Sequence, residues 1–396
     1  MFTIGNKPMI SKINRFDEDT HNTFLDYLKK LDKPLLLAVS ICAVISVMCI
    51  YSIYISQVVE LTESQLFRQV VSSLVGIIAC FIITAIDYHK IAKLWFIYIP
   101  IALVLVGLTF TSLGYGRGEA DDIAWVDLGF ISIQPSEVLK VAFLLSFSLH
   151  LSKVGAEINN FGHFILLCLH GLIPIGIVAF QGDYGTAIVF GVMFAFMMLF
   201  GGLSIKYILP ILASIPIVVY FLWTYILSSV HKDRIIVLFN PGSDPLGIEY
   251  QQNLGKASLA EGGLFGKGLF KDEYTFVPEM HNDFIFAFVG QSMGFVGCIV
   301  LLGIFLFVLI KLLVNAMTSK DTLGKNICIG TFSMIFIHCI MNIGMVLGVM
   351  PVIGVPLPFM SAGGTAMLSM FVAIGLVLST HSHREKKKRM FYDIDD

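Results

Sequence analysis

The sequence predicts an all-α integral membrane protein with about ten transmembrane helices and one large extracellular loop. Three observations carry that expectation. The first is composition. Of 396 residues, 56% are hydrophobic and only 14% charged, against about 25% charged in soluble domains, and the mean hydropathy is +0.83. The second is a series of ten apolar runs near the ~20 residues that cross a hydrocarbon core. The third is where the lysines and arginines fall between those runs.

The runs are 34–56, 69–86, 92–113, 137–152, 162–180, 185–203, 207–230, 285–310, 326–349 and 364–380. With the N-terminus inside, eighteen of the 26 Lys and Arg residues fall in inside segments and seven in outside ones, while Lys140 lies within a helix. That is the asymmetry of the positive-inside rule. Ten crossings return the C-terminus to the inside, where His-Arg-Glu-Lys-Lys-Lys-Arg at 383–389 meets an anionic leaflet. The expected organisation is a cytoplasmic segment 1–33, a ten-helix domain 34–380 and a cytoplasmic basic tail 381–396. The first run exceeds 20 residues and reads as a retained helix rather than a cleaved signal.

The seven cysteines (Cys42, Cys49, Cys80, Cys168, Cys298, Cys328 and Cys339) all lie inside apolar runs without CxxC spacing. They read as buried small hydrophobes, with no disulfide and no thiolate metal site. No HExxH, Walker A, GxSxG or strand-borne GxGxxG pattern occurs. The basic runs are short and flank membrane segments, so nothing points to nucleic acid.

Two outside segments are long, 114–136 and 231–284. The second carries Gly and Pro punctuation, aromatics and charges of both signs, a composition that favours an ordered, functional loop. Ionisable residues near membrane depth are costly and mark candidate sites. Glu137 and Lys140 open the fourth helix at i and i+3, behind Gln134-Pro135-Ser136, where Ser136 can cap. The plainer reading is a capped helix start with a local ion pair. Asp183 sits in Gln181-Gly182-Asp183-Tyr184-Gly185-Thr186, a place for a turn former or cap as much as for chemistry. Asp283, in Pro278-Glu279-Met280-His281-Asn282-Asp283, lies where the long loop re-enters the membrane. It reads either as an N-cap or as a partly buried general base, with Glu279 and His281 adding proton-transfer capacity. Residues 351–364 hold three prolines and three glycines, which exclude helix. Such backbone survives at membrane depth only when buried in protein or lining a cavity, although an ordinary extracellular turn is the alternative. His170 and His338 read as hydrogen-bonded core histidines.

Together these stretches resemble the SEDS family (shape, elongation, division and sporulation), whose members include RodA, FtsW and SpoVE. The resemblance runs from Phe67 onward: Phe67-Arg68-Gln69; Trp125 with Gly129-Phe130; Gln134-Pro135-Ser136-Glu137 through Lys140; Gln181–Ala187; Arg234 with Asn240-Pro241 and Asp244-Pro245-Leu246-Gly247; Gly262–Gly268; Pro278–Ala287; Asn342-Ile343-Gly344-Met345; and Pro351–Gly364. The tail from Ser361 to Arg384 is closer to RodA-like members. Ala124, Gly182, Tyr184, Asn282 and Ala362 depart from the family pattern, as does Lys271-Asp272-Glu273-Tyr274, which stands where elongation members carry Gly-Thr-Gln.

The resemblance implies a peptidoglycan glycosyltransferase that polymerises lipid II at the outer face of the bacterial cytoplasmic membrane, for elongation and shape or for division. It implies Asp283 as the base. Lys140, Arg68 and Arg234 become candidates for the diphosphate, with a divalent cation, Mg or Mn, as a candidate cofactor whose ligands the sequence does not name. Glu137 and Asp183 are expected to orient Lys140 or line the cavity, and Trp125, Glu279, His281 and Ser361 to shape it. A class B penicillin-binding protein transpeptidase, with other elongation or division membrane proteins, is the expected partner. A lipid II flippase and a non-catalytic scaffold stay open. A flippase would spread its charges through the depth of the membrane, and a scaffold would not need the carboxylates.

Overall fold

The computed structural model describes residues 30–116, 122–129 and 132–383. The expectations for residues 1–29 and for the basic tail from 384 onward lie outside the described residues, as does Arg117.

Each of the ten predicted runs coincides with a helix. In chain order the helices are α1 Lys33–Ser56, α2 Glu63–Ala85, α3 Tyr88–Lys93, α4 Trp95–Leu108, α5 Pro135–Val154, α6 Phe161–Phe180, α7 Tyr184–Phe200, α8 Ile205–Phe221, α9 Ser229–Phe239, α10 Tyr250–Glu261, α11 Ile285–Met317, α12 Thr322–Val346 and α13 Gly364–Ser382. Among the described residues, eight helices are long and apolar enough to cross a membrane, and the apolar α4 and α7 are shorter, at 14 and 17 residues. Multiple apolar helices of this kind make a multi-pass membrane protein.

Local chemistry sets several boundaries. Thr62 and Gln65 form a reciprocal capping box, so α2 starts at Glu63 rather than at the first apolar residue of the predicted run. Asp32 caps α1, with Pro34 in its first turn. Gly294, at φ +67, kinks the 33-residue α11. Two expected caps are corrected. Pro135 is the first residue of α5, so Ser136 lies inside the helix and its hydroxyl caps nothing. The residue before α11 is Phe284, so Asp283 is not an N-cap either.

The segment 114–133 holds a small antiparallel sheet that the sequence reading did not expect: β1 Gly114–Tyr115, β2 Trp125–Asp127 and β3 Ser132–Ile133. Tyr115 pairs with Trp125, and Asp127 with Ser132. The long loop 231–284 contains most of α9 and all of α10. Between them the Glu249 carboxylate accepts backbone N–H bonds from Gly242 and Asp244, at 2.8 and 3.1 Å.

Helix α12 is the centre of the bundle, packing on α5, α7, α11 and α13. Its polar residues Asn326, Thr331, Ser333, His338 and Asn342 are all buried. Helices α2 and α13 approach through small residues. A Cβ on Gly375 would sit 2.9 Å from the Cys80 carbonyl oxygen, and one on Gly76 would meet the Phe371 ring. Close backbone contact of this kind is how helices associate where no hydrophobic drive exists between them. Helix α8 buries no residue at all.

Candidate functional site

Residues 351–363 are non-helical, as their prolines require; Leu357 to Ser361 are buried and most of the rest are partly buried. They survive at that depth because neighbouring side chains take up their polar groups. Asn342 donates to the Val355 carbonyl at 2.8 Å and His338 Nδ1 bonds the Pro356 carbonyl at 3.0 Å. The Arg234 guanidinium donates to the Val352 carbonyl at 3.0 Å. The Ser46 hydroxyl donates to the Met360 carbonyl and itself accepts from Gln69, at 2.8 Å. Gly185, at the start of α7, presses on this segment so closely that a Cβ would lie 2.6 Å from the Ile353 carbonyl oxygen.

The 279–283 stretch is laced to the same segment. Ala362 N–H donates to the His281 carbonyl at 2.9 Å. Ser361 Oγ donates to the Asn282 carbonyl at 2.6 Å and accepts from Leu357 N–H at 2.8 Å. Asn342 also donates to the Asp283 carbonyl, at 2.8 Å. Gly354, at φ +66, faces the Asp283 carboxylate, and a Cβ there would sit 3.6 Å from Oδ2. Two non-glycine residues flank this junction in the left-handed region, Glu279 at φ +53 and Phe359 at φ +60. Backbone of that kind persists only where the surroundings over-determine it, and it gathers at functional sites.

Beside the turn lies a buried charged cluster. Lys140 Nζ donates to Glu137 Oε1 at 2.8 Å and to His338 Nε2 at 3.0 Å. Ser369 on α13 donates to the other Glu137 oxygen at 2.6 Å. Lys140 is 0% and Glu137 1% exposed. The plain reading of a local ion pair is met, but in a setting where charges persist only if paired and hydrogen-bonded.

Asp183 does cap α7, accepting from Thr186 N–H at 2.9 Å, and it also accepts from Gln134 at 3.1 Å, next to Pro135 and the start of α5. Burial raises its pKa, against the Thr186 and Gln134 hydrogen bonds and the field of Lys140. Asp122, which the sequence reading passed over, joins this group. Burial pushes its carboxyl up to about 6, helped by the neighbouring Asp183 and opposed by Arg234. The loop bearing Asp122 and Trp125 is tied down by Ile123 N–H donating to the Gln181 carbonyl at 2.9 Å. His231 stacks edge-on against Tyr184 at 4.7 Å and holds α9, hence Arg234 one turn on, over the start of α7.

The structure therefore gathers Glu137, Lys140, Asp183, Arg234, His281, Asp283 and Ser361 around residues 351–363. Glu279 lies at the rim, where it accepts from Asn282 at 2.6 Å. Arg68 is exposed on α2, next to the buried Gln69, whose side chain reaches the Ser361 carbonyl at 3.5 Å. Among the described residues, no three His, Cys, Asp or Glu side chains converge to hold a metal ion.

This arrangement accompanies a match over nearly the whole chain. The profile of the FTSW_RODA_SPOVE family, described as cell cycle proteins, matches residues 33–386. The chain belongs to that family. The peptidoglycan glycosyltransferase MrdB of Escherichia coli K12 is 32% identical over 296 residues, 73% of this chain and 78% of that protein. The stage V sporulation protein E of Bacillus subtilis is 31% identical over 377 residues, 91% of this chain and 98% of that protein. Among solved structures, a chain from a peptidoglycan synthase complex that coordinates polymerization and crosslinking aligns with TM-score 0.75 at 25% identity. The alignment covers 90% of this family member and 99% of that chain. The rod shape determining protein RodA of Thermus thermophilus aligns with TM-score 0.65 at 23% identity, over 90% and 98% of the two chains, and so shares the fold.

Proposed function

We propose that this protein is a peptidoglycan glycosyltransferase that polymerises lipid II into glycan strands at the outer face of the cytoplasmic membrane, serving cell elongation and shape or division. The observation that carries the proposal is the convergence just described. The Asp283 carboxylate faces Gly354 of the non-helical turn, and the fully buried Lys140 bonds His338, which holds the same turn at Pro356. The names and coverage of MrdB and the other relatives support the reaction class.

The acceptor sugar hydroxyl attacks the anomeric carbon of the lipid-linked strand. Asp283 takes the hydroxyl proton as the new glycosidic bond forms. The bond from the anomeric carbon to the diphosphate oxygen breaks, and undecaprenyl diphosphate leaves with the electron pair. Arg234 and Arg68 are the cations with access to that diphosphate. Lys140, having no exposed surface, acts on it through its field. Asp122 faces Arg234 and keeps it oriented, Asp183 stands beside Asp122 in the field of Lys140, and Trp125, Glu279, His281 and Ser361 line the site. Among the described residues, the side chains do not form a cage for Mg or Mn. The partner is a class B penicillin-binding protein that cross-links the new strands, a reading supported by the synthase-complex relative. Both termini are cytoplasmic.

The test is polymerisation of lipid II by the purified protein with its cognate transpeptidase. Wild type makes strands and Asp283→Asn, at equal protein level, loses at least about 100-fold in rate, the lower end of what a general base contributes. Equal strands from both remove Asp283 from the mechanism. No strands from either overturn the enzyme in favour of a flippase or scaffold.

A further inference from the structure

His338 sits on α12 with both ring nitrogens engaged and 1% of its surface exposed. Its Nε2 lies 3.0 Å from Lys140 Nζ. An ammonium has three donors and no acceptor, so Nε2 must offer a lone pair. The proton then resides on Nδ1, which donates to the Pro356 carbonyl at 3.0 Å. The imidazole is thus neutral, with its tautomer set by its two partners. One helical turn on, Asn342 donates to the Val355 carbonyl and to the Asp283 carbonyl, each at 2.8 Å. Residues i and i+4 share one helix face. That face of α12 therefore grips two consecutive carbonyls of the turn, and from the same two side chains it grips Lys140 on one side and the Asp283 backbone on the other.

We propose that His338 is a positioning residue, which holds the Lys140 ammonium at a set place relative to the turn that carries Asp283. This rests on the proposed glycosyltransfer, in which Lys140 acts through its field. Glu137 and His338 take two of the three Lys140 N–H bonds and fix the direction of the third. Without the imidazole, the ammonium swings toward Glu137 alone and the Pro356 carbonyl loses its donor. A ring that served only as packing would tolerate replacement by phenylalanine. A ring that works through its lone pair would be replaced by glutamine, whose amide oxygen reaches the Nε2 position.

The test compares wild type, His338→Phe and His338→Gln as full chains with the transpeptidase, on lipid II. Positioning predicts that His338→Phe lowers kcat by about tenfold or more with KM changed less than about threefold, and that His338→Gln recovers most of the loss. Normal kcat in His338→Phe, or equal losses in both variants at wild-type abundance and melting temperature, overturns it. A second readout needs no activity: 15N-histidine NMR of the wild type, with the His338 signal assigned by its disappearance in His338→Gln. The Nδ1–H neutral tautomer is expected, and an Nε2–H tautomer or a charged ring overturns the proposal. If wild type makes no strands, the glycosyltransferase reading fails, and the tautomer still decides whether His338 holds Lys140.

Discussion

Lys140 shows why residue type and spacing alone understate a site. At i and i+3, Glu137 and Lys140 look like any helix-surface pair, worth a few tenths of a kcal/mol. Buried to 0 and 1% exposure, they become a pair whose disruption is expensive. Lys140→Ala leaves Glu137 charged and unpaired, and the expected loss is about 3–5 kcal/mol, read as a fall in melting temperature in detergent. Glu137→Gln with Lys140→Met removes both charges, and the double variant recovers most of that stability while polymerisation stays lost. Asp122 gives a pH signature. Its pKa rises from the model-peptide 3.8 to about 6 on folding, so the folded state binds the proton more tightly. Its contribution to stability is therefore fully present below about pH 4 and is lost as pH rises through about 6. Asp122→Asn avoids that loss. The variant is expected to be more stable by about 1–2 kcal/mol at pH 7.5, since the half-buried side chain is partly screened by water, and equal to wild type near pH 3.5. Melting curves at the two pH values check it.

At the scale of elements, the site is held by what two helices and one non-helical stretch do together. The carbonyls of residues 351–363 cannot face hydrocarbon unbonded, and α12 supplies His338 and Asn342 to meet them. The α2–α13 pair backs this stretch from behind, through Gln69 and the start of α13 at Gly364. Its closeness depends on Gly375, where any Cβ would meet backbone of α2 at 2.9 Å. Backbone yields less readily than a side-chain tip. Gly375→Ala is expected to part the two helices and cost about 1–3 kcal/mol, measured by thermal unfolding, with loss of activity following from the displaced α13. Cap chemistry was legible in advance at Asp183, which caps α7. At Ser136 and Asp283 it was not, because Pro135 takes the first helical position of α5 and the turn claims the backbone around Asp283.

For the whole molecule, orientation follows from charge and the site's location from connectivity. Asp283, Asp183, Asp122, Arg234 and residues 351–363 all lie in connections between alternate pairs of helices, so one end of the bundle holds them. In the proposed orientation, which rests on the positive-inside balance, that end is the outer face. A reporter inserted at residues 241–248 is expected to read outside, and one fused after Asp396 inside. The reverse pattern would move the chemistry to the cytoplasm. Helix α8 is apolar and buries no residue; near its start Tyr207 stacks on Phe164 of α6 at 4.2 Å.

The sequence by itself determined the membrane class, the ten apolar segments and the family. Hydrophobic length, the Lys and Arg balance and short Gly/Pro-punctuated motifs are local properties, readable without knowing what packs on what. It also marked most of the charged residues of the candidate site, since charges at membrane depth are costly enough to stand out. Only the tertiary structure decided which of those charges meet. His338 became a partner of Lys140 rather than a solitary core histidine because α12 places it across from α5, 198 residues away in sequence. Asp122 joined Asp183 because the 114–133 sheet folds its loop over the start of α7. Arg68, inside a motif as clear as any, was left exposed because the neighbouring Gln69 is the residue that turns inward. Burial and cross-chain distance set the energy of a charge, and neither exists until the chain has packed.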